Sequence, residues 1–152
     1  MSYKSFFLTD NRALPRLSVA HRAKIAYEVS LALEYLHAEN VLHRDLKPGN
    51  ILLNRDCQAR VSDFGVSQRG SSNAQTLVGT PAYAAPELIL EHASPGFDLS
   101  SKIDVFAFGV VLAAMFAPNG DPYHYWRREN PTKSSEQALM RNVTRRVSLI
   151  QI

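Results

Sequence analysis

From Leu17 to Asn40 the apolar residues Ile25, Val29, Ala32, Leu33 and Leu36 recur at the spacing that lines one face of an α-helix, and Ser18 stands where a side-chain oxygen would cap the first turn. A long amphipathic helix is predicted there. Pro48 and Gly49 then break the chain; Val41-Leu42 before them and Ile51-Leu52-Leu53 after them read as short extended pieces. A turn at Asn54-Arg55-Asp56 leads into Ala59-Arg60-Val61, so the middle of the chain is predicted to hold paired short strands around a loop. Residues 65–99 are rich in Gly, Ser, Pro and Thr and lack a period, apart from a short helix expected at Pro86 to His92. Ser101-Lys102-Ile103-Asp104 has the form of a helix start with a capping box, and the apolar run that follows to Phe116 predicts a helix buried on every side. After Pro118-Asn119-Gly120-Asp121-Pro122 the chain turns polar, with one more helix expected from Ser134 to Arg146.

Composition narrows the class without naming it. At 152 residues, 45% hydrophobic and 20% charged, the chain has the make-up of one globular domain, which excludes a disordered or fibrous protein. The net charge is +3, yet Lys and Arg are scattered and no basic stripe alternates with aromatics, which argues against a nucleic-acid partner. Arg141, Arg145 and Arg146 read as a solvated helix face. Cys57 is the single cysteine, so no internal disulfide is available and a reducing compartment is expected. The segment Val105 to Phe116 is too short to span a bilayer, and the N-terminus has no apolar targeting core; an intracellular, cytoplasmic protein without a membrane partner is the expectation.

The chemistry-bearing residues come in three ordered motifs. His43-Arg44-Asp45-Leu46-Lys47-Pro48-Gly49-Asn50 is followed by Asp63-Phe64-Gly65 and then by Ala85-Pro86-Glu87. Together they resemble the catalytic loop, the metal-binding loop and the end of the activation segment of eukaryotic protein kinases. The resemblance implies that Asp45 receives or orients the proton of an attacking hydroxyl, and that Lys47 neutralises the transferred phosphate. It further implies that Asn50 and Asp63 hold Mg²⁺ against the phosphates of ATP. Taken singly, Asp45, Asn50 and Asp63 would be turn formers or caps, and Lys47 a surface lysine.

The same resemblance implies that His43 packs on Phe64, that Gly65 permits a sharp bend beside the metal, and that Leu52 lies under the adenine ring. As a bare residue Leu52 reads equally well as a core leucine. The run from Thr76 to Glu87 is similar to the activation segment of Ser/Thr kinases, with Thr80 meeting Asp45 and Lys47. This favours Ser/Thr over Tyr substrates. Thr76 is the expected phosphorylation site, received by Arg44 and served by an upstream activating kinase; Ser67, Ser71 and Ser72 are the alternative sites. Asp104 resembles the residue that accepts hydrogen bonds from the catalytic-loop backbone, while a helix-start acid is its plain alternative. Arg22 to Val29 before Leu36-His37 is similar to the tyrosine-kinase-like group.

The expected fold is mainly α with short β-strands, the C-terminal lobe of the protein-kinase-like fold, with the N-terminal lobe and the last helices absent. Residues 1–152 form one partial kinase domain, matched closely over 17–116 and loosely over 117–152. No Gly-rich loop, strand lysine or helix glutamate of the ATP clamp is identified, and Glu87 lacks its usual arginine partner. Two functions follow from this: a Ser/Thr protein kinase sequence, inactive as this chain alone, or a non-catalytic module that docks on another kinase.

Overall fold

Helix α1 (Val19–Ala38) starts where Ser18, in extended backbone, accepts the His21 N–H on its hydroxyl at 3.1 Å. It stops two residues before Asn40, whose φ of 54° is left-handed, a conformation asparagine tolerates at a helix end. Ile25, Val29 and Leu33 form its buried face, as the periodicity requires. The computed structural model describes residues 17–54, 56–69, 79–90 and 99–129, and the expected helix at Ser134 to Arg146 lies outside them.

Strands β2 (Ile51–Leu53) and β3 (Ala59–Val61) pair antiparallel, Ile51 opposite Val61 and Leu53 opposite Ala59. Asn54 closes the hairpin by accepting the N–H groups of Asp56 and Gln58 on its side-chain oxygen, at 3.0 and 2.9 Å. Ile51, Leu53 and Ala59 are buried in one cluster with the inner face of α1. Period two turns Leu52 away from that cluster and leaves it half-buried. Glu28 of α1 also accepts the Ala59 N–H at 2.6 Å, so the helix holds the hairpin by a charged hydrogen bond as well as by packing.

Strand β1 (Val41–Leu42) pairs antiparallel with β4 (Gln68–Arg69), a partner that the irregular composition of residues 65–99 concealed. Helices α2 (Pro86–Leu90), α3 (Lys102–Phe116) and α4 (His124–Glu129) complete the order. Single 3₁₀ turns at Pro48–Asn50, Pro81–Tyr83 and Pro118–Gly120 each begin with proline, whose fixed φ suits a first turn.

Two expectations for α3 need correction. The helix joins both hydrophobic clusters, with Ala107, Val111 and Met115 in the one shared with α1, and Ile103 beside Leu42, Ala85 and Leu88 in the other. It is nevertheless not buried all round: Val105 is 52% and Phe116 53% exposed, because the two clusters cover two faces and leave a third open among the described residues. Nor does Ser101 cap it by side chain. Ser101 is itself helical in backbone, Ser100 takes the Lys102 N–H at 3.3 Å, and the Asp104 carboxylate is drawn elsewhere.

Candidate active site

The hairpin sets the spacing of Asn50 and Asp63, the two candidate oxygen ligands. Beyond the Ile51–Val61 pair the ladder continues one step, with the Ser62 N–H and hydroxyl both donating to the Asn50 carbonyl at 2.9 and 3.1 Å. Asp63 therefore follows directly beside the level of Asn50. Its φ of 63° is left-handed, a strained state costing on the order of 1–3 kcal/mol in a non-glycine residue, and its carboxylate is exposed. Gly65 approaches it through an N–H 3.4 Å from Oδ1.

Asp45 sits at the centre of a closed polar triangle. Lys47 Nζ donates to Asp45 Oδ2 at 2.6 Å and to Thr80 Oγ1 at 2.8 Å, while Thr80 Oγ1 donates to Asp45 Oδ1 at 2.8 Å. The Asn50 amide nitrogen donates to the Asp45 carbonyl at 2.8 Å and to Oδ2 at 3.2 Å. Burial alone would push the Asp45 carboxyl up, but the hydrogen bonds from Lys47 and Thr80 and the lysine charge outweigh it, and the group is held below the ordinary carboxylate range.

Asp104 carries the loop from below. It is 1% exposed and accepts the N–H groups of His43 and Arg44, both at 2.9 Å, with His37 Nε2 also at 2.9 Å from Oδ2. Arg44 has a φ of 69°, left-handed like Asp63, and the two amide bonds to Asp104 hold it there one residue before Asp45. The Arg44 guanidinium donates to Gln68 Oε1 of β4 at 2.8 Å. His43 is fully buried: its Nε2 lies 3.0 Å from the Ser62 carbonyl, its Nδ1 accepts the Asp45 N–H at 3.3 Å, and its ring stands 5.3 Å from that of Phe64. Nε2 thus ties the 43–50 loop to the hairpin end, while Nδ1 braces the loop within itself.

Thr80 is brought to Asp45 by residues on either side of it. Gly79 has a φ of +101°, and a Cβ placed on it would stand 2.6 Å from the Arg44 carbonyl oxygen, so this approach needs glycine. On the other side the Tyr123 hydroxyl donates to the Ala82 carbonyl at 2.8 Å. Burial pushes the phenols of Tyr83 and Tyr123 up to about 12. Glu87 lies in the first turn of α2, and no ion pair to it is seen among the described residues. Thr76 lies outside the described residues.

Four contributors to this geometry had little or no signal in the sequence. Gly79 is one glycine inside a longer motif, Ser62 and His37 matter only through contacts across the fold, and Tyr123 sits in a stretch of polar residues. For a metal, Asn50 and the exposed Asp63 offer two hard oxygens, and no group of three or more His, Cys, Asp and Glu side chains assembles among the described residues. That sparse donor set fits Mg²⁺, which retains waters and takes further oxygens from phosphates, better than a fully protein-caged ion.

The chain matches the protein kinase domain family over residues 4–149. It is 35% identical to the serine/threonine-protein kinase SBK1 of Danio rerio over 129 residues, covering 84% of this chain and 32% of that protein. It is 38% identical to the phosphorylase b kinase gamma catalytic chain, liver/testis isoform, of Mus musculus, covering 81% of this chain and 30% of the relative. The mitogen-activated protein kinase spm1 of Schizosaccharomyces pombe is 38% identical over 106 residues, 65% of this chain and 24% of its own length. Among solved structures, the yeast RNA Pol II CTD kinase CTDK-1 complex contains a chain that superimposes with a TM-score of 0.64 at 27% identity, over 76% of this chain and 37% of that one. The chain therefore spans about a quarter to a third of the curated relatives it matches. Helix-rich, with short paired strands and an Asp-Lys-Thr centre, the chain belongs to the eukaryotic protein kinases, on their serine/threonine side.

Proposed function

We propose that these residues form the phosphoacceptor half of a Ser/Thr protein kinase site, in which the γ-phosphoryl group of ATP passes to a Ser or Thr hydroxyl of a protein substrate. The observation that carries this reading is the Asp45–Lys47–Thr80 triangle. Asp45 accepts the hydrogen bond of the attacking hydroxyl. A carboxylate held below its ordinary range is a weak base toward an intact alcohol, so it orients the oxygen and takes the proton late, as bonding to phosphorus advances. Lys47 faces the oxygens of the moving phosphoryl group, and its length lets it hold Asp45 and Thr80 in the resting site. Asn50 and Asp63 would hold Mg²⁺, which when bound would supply charge neutralisation at the phosphates. Leu52, turned off the core cluster, offers an apolar surface for the adenine ring.

His43, Phe64, Gly65 and Asp104 serve position rather than chemistry in this scheme. Thr76, as a phosphate acceptor for an upstream kinase, would add negative charge within the segment that runs through Thr80 to Glu87.

The 152 residues contain no Gly-rich phosphate loop. Charge-stabilising contacts of that kind are worth about 100- to 1,000-fold each in rate. The chain by itself is therefore expected to transfer phosphate at a negligible rate. Its test is transfer of labelled γ-phosphate to Ser/Thr peptides by the 152-residue chain, with Asp45→Asn as control; turnover above the control overturns the inactivity. Mg²⁺-dependent shifts of the Asn50 and Asp63 NMR signals on adding ATP, absent in Asp63→Asn, test the nucleotide reading separately. The docking-module alternative predicts neither shift and no dependence on Asp45.

A further inference from the structure

The 3₁₀ turn at Pro81–Tyr83 begins directly after Thr80, and its backbone carbonyls can be followed one by one. The Thr80 carbonyl accepts the Tyr83 N–H at 2.9 Å and the Pro81 carbonyl accepts the Ala84 N–H at 3.1 Å, so both are used within the turn. The Ala82 carbonyl is used from outside it. Its donor is the Tyr123 hydroxyl at 2.8 Å, 41 residues away in the chain. Burial pushes that phenol up to about 12, so the hydroxyl keeps its proton at neutral pH.

A single 3₁₀ turn has poor hydrogen-bond geometry and little stiffness of its own. One end is fixed here at Thr80, whose hydroxyl lies between Asp45 and Lys47; the other is fixed at Ala84 and Ala85, buried beside Leu88 and Ile103. Two fixed ends leave rotation about the line that joins them, and such a rotation re-aims the Thr80 hydroxyl. The Ala82 carbonyl, between the ends, is the third point that stops it. Tyr123 is set in turn by its neighbours. Its N–H donates to Asp121 Oδ1 at 3.0 Å, an Asx turn, and Asp121 Oδ2 lies 3.2 Å from Arg127 Nε in α4. We propose that Tyr123 is a positioning residue for Thr80, acting through the Ala82 carbonyl, and that Asp121, braced by Arg127, holds Tyr123 in place for it. The claim about function rests on the Asp45–Lys47–Thr80 triangle being the reacting centre, as proposed above; the claim about geometry does not.

The 152-residue chain suffices for the test, by ¹³C and ¹⁵N NMR. Tyr123→Phe keeps the ring and removes the hydroxyl. It is expected to move the Ala82 carbonyl signal upfield, as the loss of a donor does, and to displace the Thr80 amide and the side-chain signals of Asp45 and Lys47. A merely structural role for Tyr123 would lower the denaturation midpoint and leave the Asp45 and Lys47 signals in place; that result overturns the proposal. In a Thr80→Ala background the same substitution is expected to leave the Asp45 signal where Thr80→Ala alone puts it, because the coupling runs through the Thr80 hydroxyl. A further displacement of Asp45 in the double variant refutes it. Should the Phe variant not fold, Asp121→Ala decides, since it keeps the hydroxyl and frees the residue that carries it: displaced Thr80 signals support the proposal, and unmoved ones count against it. A null phosphotransfer assay would bear on the proposed function alone, because none of these readouts uses turnover.

Discussion

Substituting Gly79 by alanine should detach Thr80 from Asp45 while leaving the fold intact. The added Cβ would lie 2.6 Å from the Arg44 carbonyl oxygen, a backbone atom with no flexible end to yield. Ordinary contact begins near 3.4 Å, so about 0.8 Å of movement is required, being 3.4 minus 2.6. Thr80 is the adjacent residue. Its hydroxyl makes two bonds of 2.8 Å, to Asp45 and Lys47, and the same movement directed along them would lengthen each to about 3.6 Å, beyond hydrogen-bonding range.

Bonds to charged groups contribute about 1.5–3 kcal/mol each, and alanine at positive φ adds strain of roughly 1–2 kcal/mol. If the segment stays put it bears the strain; if it moves it loses the bonds. Bearing the strain costs about 1–2 kcal/mol on top of the 2.6 Å contact and losing both bonds about 3–6 kcal/mol, so a local cost of about 2–4 kcal/mol lies between the two routes. Hydrogen exchange at Thr80 and Tyr83 should rise by about 30- to 1,000-fold, while amides of α1 and α3 change by less than about threefold. In any longer form of this protein that turns over, kcat should fall with little change in peptide KM. Unchanged exchange at Thr80, with the Asp45 and Lys47 signals in place, would refute the argument that this approach requires glycine.

Two further outcomes follow from buried groups. Asp104→Ala leaves the His43 and Arg44 amides without their acceptor, at about 1–3 kcal/mol each, so urea denaturation should show a loss of about 2–6 kcal/mol; Asp104→Asn, which keeps one acceptor oxygen, should lose about half as much. At alkaline pH the phenols of Tyr83 and Tyr123, raised to about 12 from an ordinary 10, favour the folded state fully below about pH 10, and this contribution is lost as pH rises toward 12. A denaturation midpoint that falls across that window in the unaltered protein, but less steeply in Tyr83→Phe, is the expected result. An identical slope in both would count against burial as the cause.

What the sequence determined is local. The period of Ile25, Val29 and Leu33, the Ser18 cap and the Asn54 turn act through neighbours within a few residues, and such short-range chemistry is legible from spacing alone. The family was legible for a related reason, because the three motifs carry it by residue type and spacing whatever the fold around them. Tertiary structure decided the contacts whose energy depends on chain distance. The Ser101–Asp104 capping box failed because two loop amides and His37 draw the Asp104 carboxylate more strongly than a helix terminus does. The pairing of β1 with β4 came from a segment with no pattern of its own. Gly79 became necessary only when the fold brought the Arg44 carbonyl against it. The chain spells out which groups the proposed chemistry would need; packing between distant segments sets where they point.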